Sequence, residues 1–263
     1  LTEDLNMDVF GMKTLRGDWN RTAVCENYKD NMTFIFKKFE KAGYITLNAE
    51  DAAQPVFNWP DCIAFQKQPV THFMRPFQNV YEVKRPKLLR KIMGPQNCMQ
   101  DYNFLYDYLG QFAEAYKGRP KFGFIWATHL GHNHISSPFH ADSYLRSFFE
   151  RHQKALDDSF VFLISDHGIR LSLLPRTKVG RIDLSNPLLY VSIPAYMRST
   201  TPILKNLKTN SRQLLTMFDV HATFVDILHN FAIAPSATAD FSKTKVEKDL
   251  RGTSIFRPLP KGT

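Results

Sequence analysis

The residues of this chain that most clearly could do chemistry follow an apolar run in the stretch FVFLISDHGIRL, Phe160 to Leu171. Asp166 supplies a carboxylate and His167 an imidazole, a pair of ligands that suits zinc or a similar divalent ion. Gly168 allows a sharp backbone turn directly after them. A plain turn at the end of a core strand accounts for the same residues, since Asp and Gly are common turn formers. The stretch by itself therefore leaves a metal site and a turn as equal alternatives.

A second group of candidate ligands lies in THLGHNH, where His129, His132 and His134 fall within six residues. Three imidazoles this close together are unusual for a protein core, so the group favours a site, although His134 and the nearby His140 could also belong to a surface loop. A metal held by such residues could activate a nucleophile and stabilise the oxyanions of a phosphoryl or sulfuryl transition state. Arg170 is a candidate partner for such an anion, with an ordinary surface arginine as the equal alternative.

The elements that must position these residues alternate along the chain. Apolar periodicity predicts helices over residues 34–42, 99–117, 142–156 and 211–229, and apolar runs predict strands in YITLNAED, KFGFIWATHL, FVFLIS and PLLYVSIP. Residues 55–91, rich in Pro, Phe and Asn, are expected to form a long irregular excursion. This alternation is typical of the α/β class. We therefore predict a mostly parallel central sheet with helices on both faces, in a single domain spanning residues 1–263.

The carboxyl ends of three predicted strands carry polar residues: Glu50 and Asp51, then His129 and His132, then the pair Asp166–His167. Ligands of mostly parallel sheets bind beyond the carboxyl ends of the strands. We therefore expect the three groups, although far apart in sequence, to meet at one edge of the sheet.

Composition and charge narrow the class of protein. The 263 residues are 43% hydrophobic and 22% charged, which is ordinary globular composition. No apolar run reaches the roughly 18 residues of a transmembrane helix. The formal net charge of +9 could attract a polyanion such as nucleic acid or a sulfated glycan. The basic residues are scattered, however, and none of their runs is interleaved with aromatic side chains as in a nucleic-acid groove. We expect a solvated basic surface and no nucleic-acid partner.

Cysteines and glycosylation sequons bear on the compartment. Cys25, Cys62 and Cys98 have no C-x-x-C spacing, which disfavours a zinc ribbon. Their odd number fits one disulfide plus a third cysteine whose partner would lie upstream, or three reduced thiols. The sequons at Asn20 and Asn31 predict N-linked glycosylation and favour a secretory or extracellular location.

Several blocks, in order along the chain, resemble a known family. They are FIFKKFEKAGYITLNAED, FIWATHLGHN, LISDHGIR with TKVGRIDLSNPLLYVSIP, LLTMFDVHATFVDIL and RGTSIF. The sequence resembles the sulfatase-like family catalogued as domain of unknown function 229, within the alkaline phosphatase superfamily. The resemblance implies the α/β fold of that superfamily and a metal-dependent hydrolase of phosphate or sulfate esters.

The resemblance also implies roles for particular residues. Asp166 and His167 match the superfamily's metal pair, which would hold zinc or calcium. His132 matches a histidine that contacts a metal or the anionic group of the substrate. Glu50 and Asp51 stand where sulfatases place a lysine and a histidine that touch sulfate. An acidic pair there would repel a sulfate dianion unless cations offset it.

Three further polar residues have other implied roles. Asp183 stands in place of the glutamate of the family's Gly-Arg-x-Glu block. Asp219 and His221 fall in the family's structural helix start, so we interpret them as capping and packing residues rather than ligands.

The front of the chain departs from the family. It opens with LTEDLNMD, which resembles the segment just after the superfamily's nucleophile, and no match to the first strand or to the nucleophile precedes it. The resemblance therefore implies an N-terminally truncated domain that is incomplete for catalysis, since covalent catalysis needs the nucleophile. A non-catalytic relative that binds an anionic glycan or a protein partner is the alternative function.

Overall fold

The chain folds into two compact units in the structure, which is a computed structural model. The described residues are 21–52, 56–58, 61–84, 86–93, 98–132, 135–199, 201–231, 241 and 250–260, so that Asn20 and His134 lie outside them. The first unit draws on Leu1–Glu40, Ile45–Leu109 and Phe122–His129, and the second on Lys41–Tyr44, Gly110–Lys121 and Leu130–Thr263. The single domain predicted from the sequence stays a prediction.

Helices and strands alternate along the described chain. In order they are α1 (Arg21–Cys25), α2 (Ile35–Lys41), β1 (Ile45–Glu50), β2 (His72–Phe73), α3 (Arg75–Gln78), a π-helical segment (Asn79–Lys84), α4 (Pro86–Met93), α5 (Asp101–Ala115), β3 (Lys121–Trp126), α6 (Thr128–Gly131), α7 (Ser137–Arg151), α8 (Gln153–Asp157), β4 (Val161–Ile164), a 3₁₀ turn (Leu174–Arg176), α9 (Lys178–Ser185), β5 (Leu189–Ser192), a second 3₁₀ turn (Ala195–Met197), α10 (Ile203–Asn210) and α11 (Met217–Phe231). None of the helices in the described ranges is both long and apolar enough to cross a membrane.

The first unit is built around a three-stranded parallel sheet of order β2-β1-β3. β1 is the central strand, and residues 46–51 are all buried. Leu47 of β1 lies opposite His72 of β2. Helix α2 packs on the sheet, where the ring of Phe39 stacks on that of Phe122 with 4.2 Å between the ring centroids. The carboxyl end of β1 is therefore held in the interior of the unit.

The second unit contains the antiparallel pair of β4 and β5, in which Val161 lies opposite Ser192 and Ile164 opposite Leu189. We call residues 241 and 250–260, which follow α11, the closing segment. The core of this unit is a cluster of buried apolar residues that follow β5, lie on α10 and α11, or belong to the closing segment: Ile193, Met197, Ile203, Ile227, Phe241, Ile255 and Phe256. Phe162 of β4 packs against this cluster. The RGTSIF block therefore completes the core of this unit.

Most predicted elements are present near their expected bounds. The predicted helices over 34–42, 99–117 and 142–156 correspond to α2, to α5, and to α7 with α8, and the four apolar runs contain β1, β3, β4 and β5. The mixed α/β class is confirmed. The last predicted helix begins only at Met217, where Asp219 accepts hydrogen bonds from the backbone N–H and the hydroxyl of Thr216, both 2.7 Å long. Asp219 caps this helix, as we interpreted it.

The sheet was predicted to be mostly parallel, and β4 and β5 form an antiparallel pair, which can be joined without a crossover connection. One local prediction is wrong. Residues 55–91 were expected to be irregular, yet β2, α3, the π-helical segment and the start of α4 lie there. The prolines that suggested irregularity include Pro76 and Pro86, which stand in the first turns of α3 and α4. At such positions the missing N–H of proline has no helical partner to lose.

Candidate metal centre

Asp51 is a buried carboxyl group at the carboxyl end of β1, with only 1% of its surface exposed. Its Oδ1 accepts a hydrogen bond of 2.7 Å from the backbone N–H of Thr128, and the N–H of His129 lies 3.3 and 3.2 Å from the two carboxylate oxygens. These donors are the first N–H groups of α6, which have no partner inside the helix. Asp51 therefore fixes the backbone of His129 shortly after β3.

The surroundings of Asp51 raise the pKa of its carboxyl group towards neutral pH. Burial disfavours the charged form and raises the pKa of Asp51 from 3.8 to about 7, against the opposing effects of His129 and two backbone N–H groups. The charge of Asp101 adds to the upward shift of this pKa. Near neutral pH the Asp51 carboxyl group can both take up and release a proton, as acid–base chemistry requires.

Glu50, the last residue of β1, is held by a different set of partners. Its carboxylate accepts hydrogen bonds from the side chain of Asn48 (3.1 Å) and from the backbone N–H of Val56 (2.8 Å). Burial raises the pKa of Glu50, while these hydrogen bonds and the guanidinium of Arg75 oppose the shift. Burial lowers the pKa of Arg75, and the carboxylates of Glu50 and Glu82 oppose that shift. Arg75 therefore supplies positive charge to two buried carboxylates.

Three potential metal ligands meet beside Asp51. Nδ1 of His129 lies 2.9 Å from Oδ2 of Asp101, and Nε2 of His129 lies 3.4 Å from Oε1 of Glu82. One ligand atom from each residue lies within 4.8 Å of the other two. The side chain of Glu82 is 8% exposed, that of Asp101 22% and that of His129 31%. This Glu82–Asp101–His129 triad is therefore buried at Glu82 and accessible to solvent at His129.

The two ring nitrogens of His129 both face carboxylates, which favours the imidazolium form. The hydrogen bond with Asp101 is the main cause that raises the pKa of His129, burial opposes it, and the charges of Asp51 and Glu82 add to it. A proton on His129 offsets part of the negative charge of these three carboxyl groups. A divalent cation bound to the triad would offset the same charge, so that metal and proton compete.

Three separate elements supply the triad. Glu82 lies on the π-helical segment, Asp101 in the first turn of α5, and His129 on α6. Tyr81, next to Glu82, donates a 3.0 Å hydrogen bond from its hydroxyl to Oδ1 of Asp101, while Oδ2 of Asp101 faces His129. π-helical turns are rare and occur frequently at functional sites. The π-helical segment thus supplies one ligand and orients a second.

The donor set of the triad fits a divalent ion that accepts both nitrogen and oxygen ligands. Zinc binds imidazole and carboxylate together, whereas calcium takes six to eight ligands that are all oxygens. Of the two ions expected from the sequence, zinc therefore fits these three residues better. Within the described ranges, no other group of three such ligands lies this close together.

Asp166 and His167, the metal pair expected from the sequence, lie in the second unit on the turn after β4. Nε2 of His167 lies 3.5 Å from Oδ2 of Asp166, and its Nδ1 lies 2.6 Å from the backbone oxygen of Gly168. A Cβ atom at Gly168 would overlap the backbone of Asp183, so this turn requires glycine. The pair offers two ligands on a partly exposed turn, and their role in metal binding stays a prediction.

The other residues predicted to act at a site have contrasting surroundings. His132 and Arg170 are exposed residues of the second unit. Glu50 and Asp51 are buried and hydrogen-bonded internally, and their assignment to substrate binding stays a prediction. The structure does bring Asp51 and His129 together, as their positions after two neighbouring strands predicted.

Glu82 and Asp101 were not found by sequence reasoning. Glu82 lies in the segment that we expected to be irregular. Asp101 opens an apolar helix, where an acidic residue is common because it complements the helix dipole. Asp101 therefore gave no sign of being a ligand, and no pattern links it to His129, which is 28 residues away.

The first unit defines the class of protein: a mixed α/β fold with a carboxylate–imidazole cluster beyond the end of its central strand. Residues 10–263 match the family described as Protein of unknown function (DUF229), and the chain belongs to that family. No curated protein and no solved structure matches the chain. The resemblance seen in the sequence blocks is confirmed for the family itself.

Proposed function

We propose that the Glu82–Asp101–His129 triad binds a divalent cation, with zinc preferred, and that the chain is a sulfatase-like member of the alkaline phosphatase superfamily. Members of this kind would act on phosphate or sulfate esters in a metal-dependent reaction. The observation that carries the metal site is the convergence of three ligand atoms within 4.8 Å from three separate elements. The ordered sequence blocks support the placement in the superfamily.

The residues around the triad suit an anionic substrate once positive charge is present. A bound cation would supply charge that stabilises the oxygens of a phosphoryl or sulfuryl group. Arg75 offsets part of the negative charge of Glu50 and Glu82. Asp51, whose pKa lies at about 7, is partly protonated near neutral pH and so repels an anion less than an ordinary aspartate. Together these effects reduce the repulsion that an acidic Glu50–Asp51 pair would exert on an anionic substrate.

The superfamily pattern assigns further roles in the second unit. Asp166 and His167 would form another pair of metal ligands, with His132 and Arg170 as contacts to the anionic group of the substrate. The nucleophile of the pattern has no match in residues 1–263, so we expect metal binding without covalent ester hydrolysis by this chain alone. A non-catalytic relative that binds an anionic glycan or protein is the second candidate, favoured by the net charge of +9.

We also propose a secretory or extracellular location. Cys25 and Cys62 form a disulfide, and Cys98 is free and exposed. Disulfides persist mainly in oxidising compartments. Asn31 stands on an exposed turn, where a glycosylation sequon is accessible.

Titration of the metal-stripped chain with Zn²⁺ tests the metal site. We expect Glu82→Gln and His129→Gln each to weaken binding on the order of 100-fold, because each removes one of three ligands. Isothermal titration calorimetry at neutral pH measures the affinities. Asp142→Asn and His140→Gln are matched controls on the exposed surface of α7, and both should bind Zn²⁺ like the wild type.

Asp166→Ala separates the two candidate cation sites. If the triad is the main site, this variant keeps the high-affinity Zn²⁺ binding of the wild type. Unchanged binding in both Glu82→Gln and His129→Gln would rule out the triad. Loss of all binding in Asp166→Ala alone would assign the cation to the turn after β4.

Ester hydrolysis and glycan binding, measured side by side, distinguish the two candidate functions. We expect the Zn²⁺-loaded chain to hydrolyse p-nitrophenyl sulfate and p-nitrophenyl phosphate no faster than Glu82→Gln, because no nucleophile matches the superfamily pattern. Retention of the chain on an immobilised sulfated glycan, without turnover, would favour the non-catalytic relative. Turnover that disappears in Asp166→Ala would show a complete catalytic site and refute the missing nucleophile.

A further inference from the structure

A surface of the second unit exposes four aliphatic side chains on one short stretch, residues 170–182, which we name the basic turn–helix. It contains the 3₁₀ turn Leu174–Arg176 and the start of α9. Between 56% and 73% of the surface of each of these side chains is exposed: Leu171, Leu173, Val179 and Ile182. A single exposed leucine is ordinary, but four exposed aliphatic side chains within twelve residues make this stretch a candidate interaction surface.

The same stretch carries four exposed cations: Arg170, Arg176, Lys178 and Arg181. In the part of the chain that the structure describes, none of them forms an ion pair. Residues 170–182 contain no acidic residue, and the first one beyond them is Asp183. The positive charge of the basic turn–helix is therefore available to an anionic partner.

Local hydrogen bonds and close packing fix the shape of the basic turn–helix. The hydroxyl of Thr177 donates to the carbonyl oxygen of Leu174 (2.8 Å) and accepts from the N–H of Gly180 (3.0 Å), which caps α9. Gly180 is buried, and a Cβ atom there would overlap the carbonyl oxygen of Leu174. The helix thus turns its glycine side inward. Val179 and Ile182, three residues apart, share an exposed face.

We propose that the basic turn–helix docks this protein on the surface of an anionic phospholipid bilayer. The aliphatic side chains would enter the headgroup region, and the cations Arg176, Lys178 and Arg181 would contact lipid phosphates and carboxylates. This contact would hold the basic turn–helix at the membrane surface.

The pairing of exposed aliphatic side chains with cations that form no ion pair among the described residues favours a lipid surface over a protein partner. Aliphatic side chains enter a headgroup region without a complementary pocket, and cations beside them add attraction to anionic lipids. A bilayer that carries negative charge therefore fits a surface that consists of exposed aliphatic side chains and cations.

Co-sedimentation of the full chain with vesicles tests the proposal. We expect the partition coefficient onto vesicles of phosphatidylcholine with roughly one-third phosphatidylserine to exceed that onto pure phosphatidylcholine by about tenfold or more. Raising the salt concentration should reduce this difference, because the attraction between surface charges is screened.

Paired variants assign the binding to the basic turn–helix. Val179→Ser with Ile182→Ser, and separately Arg176→Gln with Lys178→Gln, should each lower the partition coefficient onto anionic vesicles by about tenfold. All four side chains are exposed, so the variants should keep the unfolding midpoint of the wild type.

Matched controls alter the same residue types elsewhere in the second unit. Ile135→Ser with Phe139→Ser removes exposed apolar surface, and Lys117→Gln with Arg119→Gln removes two exposed cations. Both controls should bind vesicles like the wild type. Equal binding of the wild type to neutral and anionic vesicles, or equal losses in the controls, would overturn the proposal. Self-association that Val179→Ser with Ile182→Ser abolishes, without vesicle binding, would replace the bilayer by a second copy of the chain.

Discussion

Raising the pH from about 5 to about 8 is expected to lower the stability of the metal-free protein by roughly 3 kcal/mol, with Asp51 as the main cause. The pKa of Asp51 is about 7 in the folded chain, above its usual value of 3.8. The folded state therefore holds the proton more tightly than the unfolded state. The stabilising contribution is complete below about pH 4 and is lost at up to roughly 1.4 kcal/mol per pH unit as the pH rises through 7.

Two neighbours act in the same direction as Asp51. The pKa of Glu50 is raised by burial, so its contribution is also lost as the pH rises. The pKa of His129 is raised chiefly by Asp101, and its contribution is present at low pH and is lost as the pH rises through the folded-state pKa. Urea unfolding at several pH values in the presence of a chelator measures the combined contribution of Asp51, Glu50 and His129 to stability. Tryptophan fluorescence reports on the first unit, because all three tryptophans lie in residues 1–129.

Asp51→Asn isolates the contribution of one carboxyl group. The amide stays neutral over this pH range and can still accept a hydrogen bond from the N–H of Thr128. We expect the variant to lose most of the pH dependence and to equal or exceed the wild type in stability at about pH 8. Asp142→Asn removes an exposed carboxylate and should keep the full dependence. An unchanged slope in Asp51→Asn would show that burial does not shift this group.

The part of the candidate site that follows regular strands could be predicted from the sequence. Asp51 and His129 both come shortly after buried apolar runs, and neighbouring parallel strands place such residues at one edge of a sheet. The hydrogen bonds from the N–H groups of α6 to Asp51 confirm that placement. Only the order of elements and the strand periodicity were needed, and both are visible along the chain.

The other half of the triad depends on tertiary contacts that leave no periodic signal. Glu82 reaches His129 from a π-helical segment, whose wider turns match neither the helix nor the strand period. Asp101 is oriented by the hydroxyl of Tyr81, a contact between two segments of different structure. Likewise, the direction of β5 relative to β4 is decided by the connection of residues 165–188, and apolar runs carry no information on direction.

Arg257→Met is expected to lower the free energy of unfolding of the second unit by about 3–5 kcal/mol. The guanidinium of Arg257 donates two hydrogen bonds to Asp226, of 2.8 and 2.6 Å, and the two side chains are only 9% and 6% exposed. The substitution leaves the Asp226 carboxylate of α11 buried without this ion pair. The desolvated, uncompensated charge then destabilises the folded second unit. Far-UV circular dichroism during urea unfolding measures the loss, since α11 is one of the long helices of this unit.

The loss of stability in Arg257→Met should come from the buried, unpaired carboxylate of Asp226 rather than from the lost attraction between the two charges. Asp226→Leu combined with Arg257→Met removes both charges, so the double variant should recover most of the stability that the single variant loses. Arg146→Met breaks an ion pair with Glu150 in which the side chains are 78% and 62% exposed, and it should change stability by at most about 0.5 kcal/mol. If the double variant were no more stable than Arg257→Met alone, the ion pair itself, and not desolvation of Asp226, would hold the closing segment on α11.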